Sequence, residues 1–196
     1  RYTEASLVKK LEEMGDDLNA LRELAVQATI IGKNEDAIEL WERLLALKPD
    51  SKLSAEVFIN MGTVYSRMGK YQDALYASKK AIKHSPELKE AIYNYAMAEL
   101  HLGNAGKTIK VLEEMLTKIP DYPPAQFILV AAYACQGNKE RALKGLKKLK
   151  SIKMGTAFVY SCVELAKGLI SADQIDYAIS LLGAAIDSEI VNADLL

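Results

Sequence analysis

The sequence predicts an all-α chain built from stacked helical hairpins, and three observations carry that prediction. Glycines recur, with Gly69, Gly103 and Gly137 34 residues apart. Prolines recur with the same period, Pro86 and Pro120. Between them, apolar and small residues fall on helical stripes: Met61, Tyr65 and Met68 before Gly69, and Ala74, Ala77 and Ala81 after it. A short helix with one apolar face cannot bury that face alone, so each hairpin needs copies of itself as neighbours.

The stretch 60–86 is the clearest copy. Gly69 stops its first helix, because only glycine enters the left-handed cap without a steric penalty. Pro86 ends its second, because the prolyl ring blocks a further helical turn. Two periods later Tyr65 recurs as Tyr133 and Ala74 as Ala142. Upstream, Gly32, Ala37 and Pro49 precede Gly69, Ala74 and Pro86 by 37 residues, which places three extra residues at Ser51 to Leu53, read as an insertion in a loop. Downstream, Ala142 and Ala178 are 36 apart, so two residues are added near Ala157 and Phe158.

This pattern resembles the tetratricopeptide repeat family, which carries Leu-Gly and Tyr on a helix A, then Ala, an aromatic, Ala and Pro on a helix B. The copy at 55–88 matches most fully, with Phe58, Met61, Gly62, Tyr65, Tyr71, Ala74, Ala81 and Pro86, and with Ser78 in the aromatic place. The copy at 18–51 has Leu21, Leu24, Ala25, Ala37, Trp41 and Pro49; that at 89–122 has Ile92, Tyr95, Ala96, Leu112, Met115 and Pro120. The copy at 123–156 has Leu129, Tyr133, Ala142, Leu146 and Leu149 without the closing Pro, and that at 159–192 has Cys162, Leu165, Ala166, Ala178, Leu182 and Ala185. The resemblance implies a right-handed α-α superhelix, a solenoid of about five repeats over 18–192. An N-terminal half repeat or capping helix (1–17) precedes it and a short tail (193–196) comes after.

Taken in chain order, residues 6–14 are expected to form a short helix, with Leu7 and Leu11 on its stripe. Residues 18–31 and 34–47 form the first pair, and Trp41 fills the gap between neighbouring repeats, a large apolar burial. Residues 55–68 and 71–84 form the second pair, and 89–102 and 105–118 the third. Pro123 and Pro124 open the fourth pair, 123–136 and 139–150, since proline is tolerated in a first helical turn. Residues 158–170 and 173–187 form the last. No low-complexity linker divides the chain.

Composition narrows the function classes. The net charge of −1 provides no global drive toward nucleic acid or membrane. The longest apolar run, 127–135, is too short to span a bilayer. Cys135 and Cys162, the only cysteines, lie among Ala and Leu and read as two buried free thiols rather than a disulfide. No signal peptide is evident, so cytoplasmic placement is expected, or periplasmic if a signal has been removed. The half repeat at Arg1 suggests a piece of a longer protein.

Signals for chemistry are weak. Gly103-Asn104-Ala105-Gly106-Lys107-Thr108 has the end of a phosphate-binding loop, but His101 stands where its first Gly belongs and no strand precedes it, so it reads as a turn between helices. His84 and His101 have no partner at ligand spacing, so no metal and no cofactor is expected. No nucleophile, base and oxyanion donor can be named together, which argues against an enzyme. The basic stretch 139–153 has seven cations and one acid, with Lys144, Lys147, Lys148 and Lys150 near one another. It reads either as a solvated face or as a site for an anionic partner; without interleaved aromatics the nucleic-acid version is disfavoured.

The resemblance also implies a peptide-binding groove lined by helices A. Matching positions give a line of Arg22, Ile59, Tyr93, Phe127 and Val163. One turn on stand Val26, Thr63, Met97, Ala131 and Lys167, with Leu100 and His101 beyond them. Groove candidates are therefore Ile59, Asn60, Tyr93, Asn94, Met97, Leu100 and Phe127. Family co-chaperones clamp an acidic C-terminal tail with Lys, Arg and Asn. Here Arg22 and Asn60 fit, but Val26 replaces an Asn, and Glu90 and Asn94 stand where Lys and Arg belong. Glu90 would repel a carboxylate, so such tails are not expected to bind. The favoured reading is a non-catalytic protein-interaction scaffold for an apolar or amphipathic peptide or helix. The alternatives are an accessory module of a larger protein, such as a bacterial glycosyltransferase, or a homo-oligomer formed through the open ends of the stack.

Overall fold

In the computed structural model, residues 17–150 are described, together with single positions between Val163 and Leu182. The expected helix at 6–14, the linker after Lys150, the burial of Cys162, most of the fifth pair and the tail lie outside the described residues. Within them every regular element is a helix: α1 (Leu18–Ile31), α2 (Asn34–Ala46), α3 (Ser51–Arg67), α4 (Tyr71–His84), α5 (Lys89–His101), α6 (Ala105–Lys118), α7 (Pro123–Cys135) and α8 (Lys139–Lys150). The turns of the four hairpins are closed by Gly32, Gly69, Gly103 and Gly137, all at positive φ between 71° and 80°. Left-handed backbone is what these turns require, and a Cβ would strain it. Contacts divide the chain into two compact units, Arg1–Ala98 and Glu99–Leu196, with the boundary inside α5.

In the first unit, Asp17 caps α1 by accepting hydrogen bonds from the Asn19 and Ala20 amides at 2.8 and 3.2 Å. Leu21, Leu24, Ala25 and Ala28 of α1 are buried, as are Ala37, Leu40, Trp41 and Leu44 of α2. Val57, Met61 and Val64 of α3 and Ala77 of α4 belong to the same core. Trp41 is fully buried, as the sequence suggested, and its indole Nε1 donates to Thr29 Oγ1 at 3.1 Å. Thr29 in turn donates to the Ala25 carbonyl at 2.8 Å. The indole therefore enters the core without an unsatisfied polar group.

The loop insertion expected at Ser51 to Leu53 is corrected: these residues form the first turn of α3. Asp50 is the N-cap, and its carboxylate accepts from the Leu53 amide at 2.7 Å. Three residues beside a good cap add a turn at little cost, because they lengthen the helix at its start and leave the phase of its later turns unchanged. Downstream, Gly62 lets α3 approach α4. A Cβ there would stand 3.4 Å from Ser78 Oγ and 3.6 Å from the Ala74 carbonyl. Ser78, in the aromatic place, is buried and donates to that same Ala74 carbonyl at 2.8 Å.

In the second unit, α6 buries Ala105, Thr108, Ile109, Leu112 and Met115. Helix α7 opens on Pro123 and buries residues almost all round: Ala125 to Ile128 and Val130 to Ala134. That is the pattern of a helix enclosed by neighbours on more than one side. Cys135 ends α7 as an exposed free thiol, which corrects the expected buried one. The apolar run of α7 stops where the chain turns toward Gly137, so its last residue reaches solvent. Helix α8 contributes Ala142 and Leu149 to the interior.

Candidate binding surface

In the first unit the line of matched helix A positions stays partly accessible after the hairpins have packed. Arg22 and Thr63 are exposed, and Val26, Ile59, Tyr93 and Met97 are half-buried. Their neighbours on the same helices, Leu21, Leu24, Val57 and Met61, are in the core. The stripe one position over from the core is therefore not consumed by packing within this unit.

The polar members of the line are tied down. Asn60 is half-buried and donates to the Glu56 carbonyl of its own helix at 2.9 Å. Asn94 is 9% exposed and donates from α5 to the Ile59 carbonyl at 3.1 Å and to Thr63 Oγ1 at 3.2 Å, which links two successive copies. Arg22 is gripped by Glu56 with two parallel bonds, Nε to Oε1 at 2.8 Å and Nη2 to Oε2 at 3.0 Å. Both side chains are well exposed, 48% and 35%, so the pair contributes at most about 1 kcal/mol to stability. It does occupy the cation that would begin a carboxylate clamp. Glu90, exposed beside Lys89, stands where a further cation would be needed.

In the second unit Leu100 is half-buried and His101 exposed, whereas Phe127 is 2% exposed and belongs to the interior. A partner does not reach the Phe127 ring in this arrangement. Of the Gly103 to Thr108 string, Gly103 and Asn104 form the turn between α5 and α6, and Ala105 to Thr108 open α6. Gly103 is left-handed, Asn104 donates to Glu99 Oε2 at 2.7 Å, and Lys107 Nζ lies 3.7 Å from Glu99 Oε1. Glu99, 1% exposed, sits 34 residues after Tyr65 and 34 before Tyr133, so a carboxylate takes the place of a tyrosine here. The recurrence of Tyr65 as Tyr133 gave no sign of the buried acid between them.

The Tyr133 hydroxyl donates to Glu113 Oε1 at 2.6 Å, and Arg141 Nη1 donates to the same oxygen at 2.9 Å. The Arg141 guanidinium also lies over the Tyr133 ring, 5.4 Å from its centre. Arg141 is thus engaged inside the basic stretch, while Lys144 and Lys148 are exposed. The side chains of Lys139, Lys147 and Lys150, and residues 151–153, lie outside the described residues. Burial, and then the hydrogen bond and charge of Glu113, raise the Tyr133 phenol above its usual value, against a smaller lowering by Arg141. Burial, with Glu42 and Asp73, raises that of Tyr65. Folded phenols that resist ionisation contribute stability that is complete below the unfolded pKa of about 10 and is lost as pH rises through the folded value. The urea midpoint is accordingly expected to decline as pH is raised from about 9 to 11, and Tyr65→Phe and Tyr133→Phe each to lessen that decline.

Among the described residues, no group of three or more His, Cys, Asp or Glu could hold a metal ion, and no helix is long and apolar enough to cross a membrane.

The family comparison decides what kind of repeat this is. Residues 16–87 match the family model described as tetratricopeptide repeat. Residues 16–87 carry tetratricopeptide repeats. The match covers the two hairpin pairs whose glycines, Gly32 and Gly69, are 37 residues apart, so it tolerates the extra turn of α3. Solved TPR structures share the fold. MamA 41-end from Desulfovibrio magneticus RS-1 superposes with a TM-score of 0.67 at 19% identity, over 92% of this chain and 99% of that one. TTC0263, a thermophilic TPR protein in Thermus thermophilus, gives 0.65 at 20% identity, over 91% and 94%. YrrB, described as a TPR protein with an unusual peptide-binding site, gives 0.61 at 18% identity, over 95% and 94%. At these identities the likeness speaks to the fold. No curated protein sequence matches the chain. TPR hairpins are a class of protein-interaction module, and residues 16–87 are built to that plan.

Proposed function

We propose that the chain is a non-catalytic scaffold that holds an apolar or amphipathic peptide segment along the accessible line of helices A in its first unit. The observation that carries this reading is the half-burial of Ile59, Tyr93 and Met97 beside a closed core. These side chains retain apolar area that a partner would cover, at about 25 cal/mol per Å2 before the costs of association. Asn60 and Asn94 shape the line by fixing the backbone of α3 and linking α5 to it, rather than by presenting idle amides. Leu100 stands one turn beyond Met97 on α5, and Phe127 acts through packing. The partner is expected to lack a dominant acidic tail, since Arg22 is already engaged by Glu56. The peptide-binding site described for YrrB, a structural neighbour, agrees with a peptide as the class of ligand. Cytoplasmic placement accords with this role.

Pull-down from native lysate with the wild-type chain, beside a Tyr93→Ala/Met97→Ala chain of unchanged circular dichroism, tests the reading. Truncating two anchors of about 1–2 kcal/mol each should weaken capture of the same partner at least tenfold. Equal capture by both chains would overturn it.

A further inference from the structure

Each helix B buries one small residue at the same register: Ala37, Ala74, Thr108, Ala142 and Ala178 are all closed to solvent. The residue that follows is apolar in every copy. Ile38 is half-buried there, and Leu75 and Ile109 are each 8% exposed, but Ile179 is 64% exposed. Three residues further on, Trp41, Ser78 and Leu112 are fully buried, whereas Leu182 is half-buried. Ile175 is 52% exposed where the third copy holds the buried Ala105. The register that buries apolar side chains in the first three copies leaves them open in the fifth.

The earlier copies are closed by the next helix A, since α2 packs on α3 and α6 packs on α7. Ile175, Ile179 and Leu182 are helical and fall at i, i+4 and i+7, one stripe about 10 Å long. Asp176, exposed beside them, already has an interaction of its own, and the fit does not call on it. Large apolar side chains grouped in the open mark a surface that something covers. A stable dimer buries at least about 1,200 Å2, more than two turns of helix supply, so a second copy is not held by this stripe alone. A single amphipathic helix suffices, as α3 and α7 do for α2 and α6.

We propose that this face docks an amphipathic helix of a partner polypeptide, patterned like a helix A. Such a helix carries two large apolar residues three apart and a small one next to the second, as in Leu21, Leu24 and Ala25 or Phe58, Met61 and Gly62. The site is separate from the line of Ile59, Tyr93 and Met97 and does not depend on it.

A peptide with the sequence of α3, residues 51–67, is the probe. It is added to the full chain and followed by methyl NMR at Ile175, Ile179 and Leu182 and by the anisotropy of a label on the peptide. Shifts at those methyls are expected, and Ile175→Lys/Ile179→Lys should weaken binding at least tenfold. Both positions are exposed and lysine is a good helix former, so this variant keeps its circular dichroism. A peptide carrying Phe58→Ser and Met61→Ser should not bind. The Tyr93→Ala/Met97→Ala chain should bind the α3 peptide as wild type does, which separates this face from the line in the first unit. Absence of shifts at millimolar peptide, equal binding by the lysine variant, or loss of binding in the Tyr93→Ala/Met97→Ala chain would overturn the proposal. So would association of the wild-type chain without peptide that the lysine variant abolishes, which would assign the face to a second copy.

Discussion

Trp41→Ala should destabilise the first unit by about 3–5 kcal/mol, measured by urea denaturation followed by circular dichroism. The indole is completely enclosed, in a core built by α1, α2, α3 and α4 together. Removing it leaves a cavity that four helices would have to collapse to fill, and close-packed hairpins collapse only partially. It also leaves Thr29 Oγ1 without the indole donor. Trp41→Phe separates the two effects, since the ring fills most of the space but cannot donate. A loss of less than half that of the alanine chain is expected. Since whole domains are stable by only about 5–15 kcal/mol, the alanine chain approaches the limit of folding at physiological temperature. A loss below about 1 kcal/mol would mean that Trp41 is not a keystone of the stack.

Gly145→Ala presents the second large effect, and its sign depends on one neighbour. On an exposed helix this change would stabilise by about 1 kcal/mol, because glycine is a poor helix former. Here a Cβ would stand 2.4 Å from Val130 Cγ2, closer than real Cβ atoms approach anything. Val130 is β-branched and stiff, so the methyl cannot swing aside cheaply. Overpacking of this kind costs about 1–3 kcal/mol, which offsets the propensity gain and leaves a net loss of up to about 2 kcal/mol. Val130→Ala removes the clashing methyl, and the Val130 Cβ itself lies at an ordinary 3.7 Å. In that background Gly145→Ala should turn neutral or stabilising. The change of sign, read from the four urea midpoints of the cycle, is the test. The preceding copies explain the arrangement: where Val130 stands they hold Ala25, Gly62 and Ala96, and where Gly145 stands they hold Leu40, Ala77 and Val111. Bulk has moved from one helix to the facing one.

Much of the fold was legible because it is written in local chemistry. Left-handed turns need glycine, and Gly32, Gly69, Gly103 and Gly137 are each found at one. The single tryptophan could be placed in the core by size alone. What a helix does at its first turn was less legible: Asp50 reads as part of a loop until its carboxylate is seen on the Leu53 amide. The accessible line was half legible. On α3, matching positions to the resembled family set Ile59 apart from Met61. On α7 nearly every residue is apolar, so periodicity could not say that Phe127 faces inward or that Cys135 faces out. Buried polar groups such as Glu99 and Gln126 were invisible for a related reason. Their satisfaction depends on Asn104 and Lys107 or on the Pro120 carbonyl, partners that the neighbouring turn or loop brings round.

The chain possesses a single indole chromophore, and it lies wholly within the first unit. Its emission should be blue-shifted in the native state and shift to the red when those hairpins melt. A spectroscopist who follows that colour alone will record the fate of one half, and would score as native a molecule whose other half had already come apart.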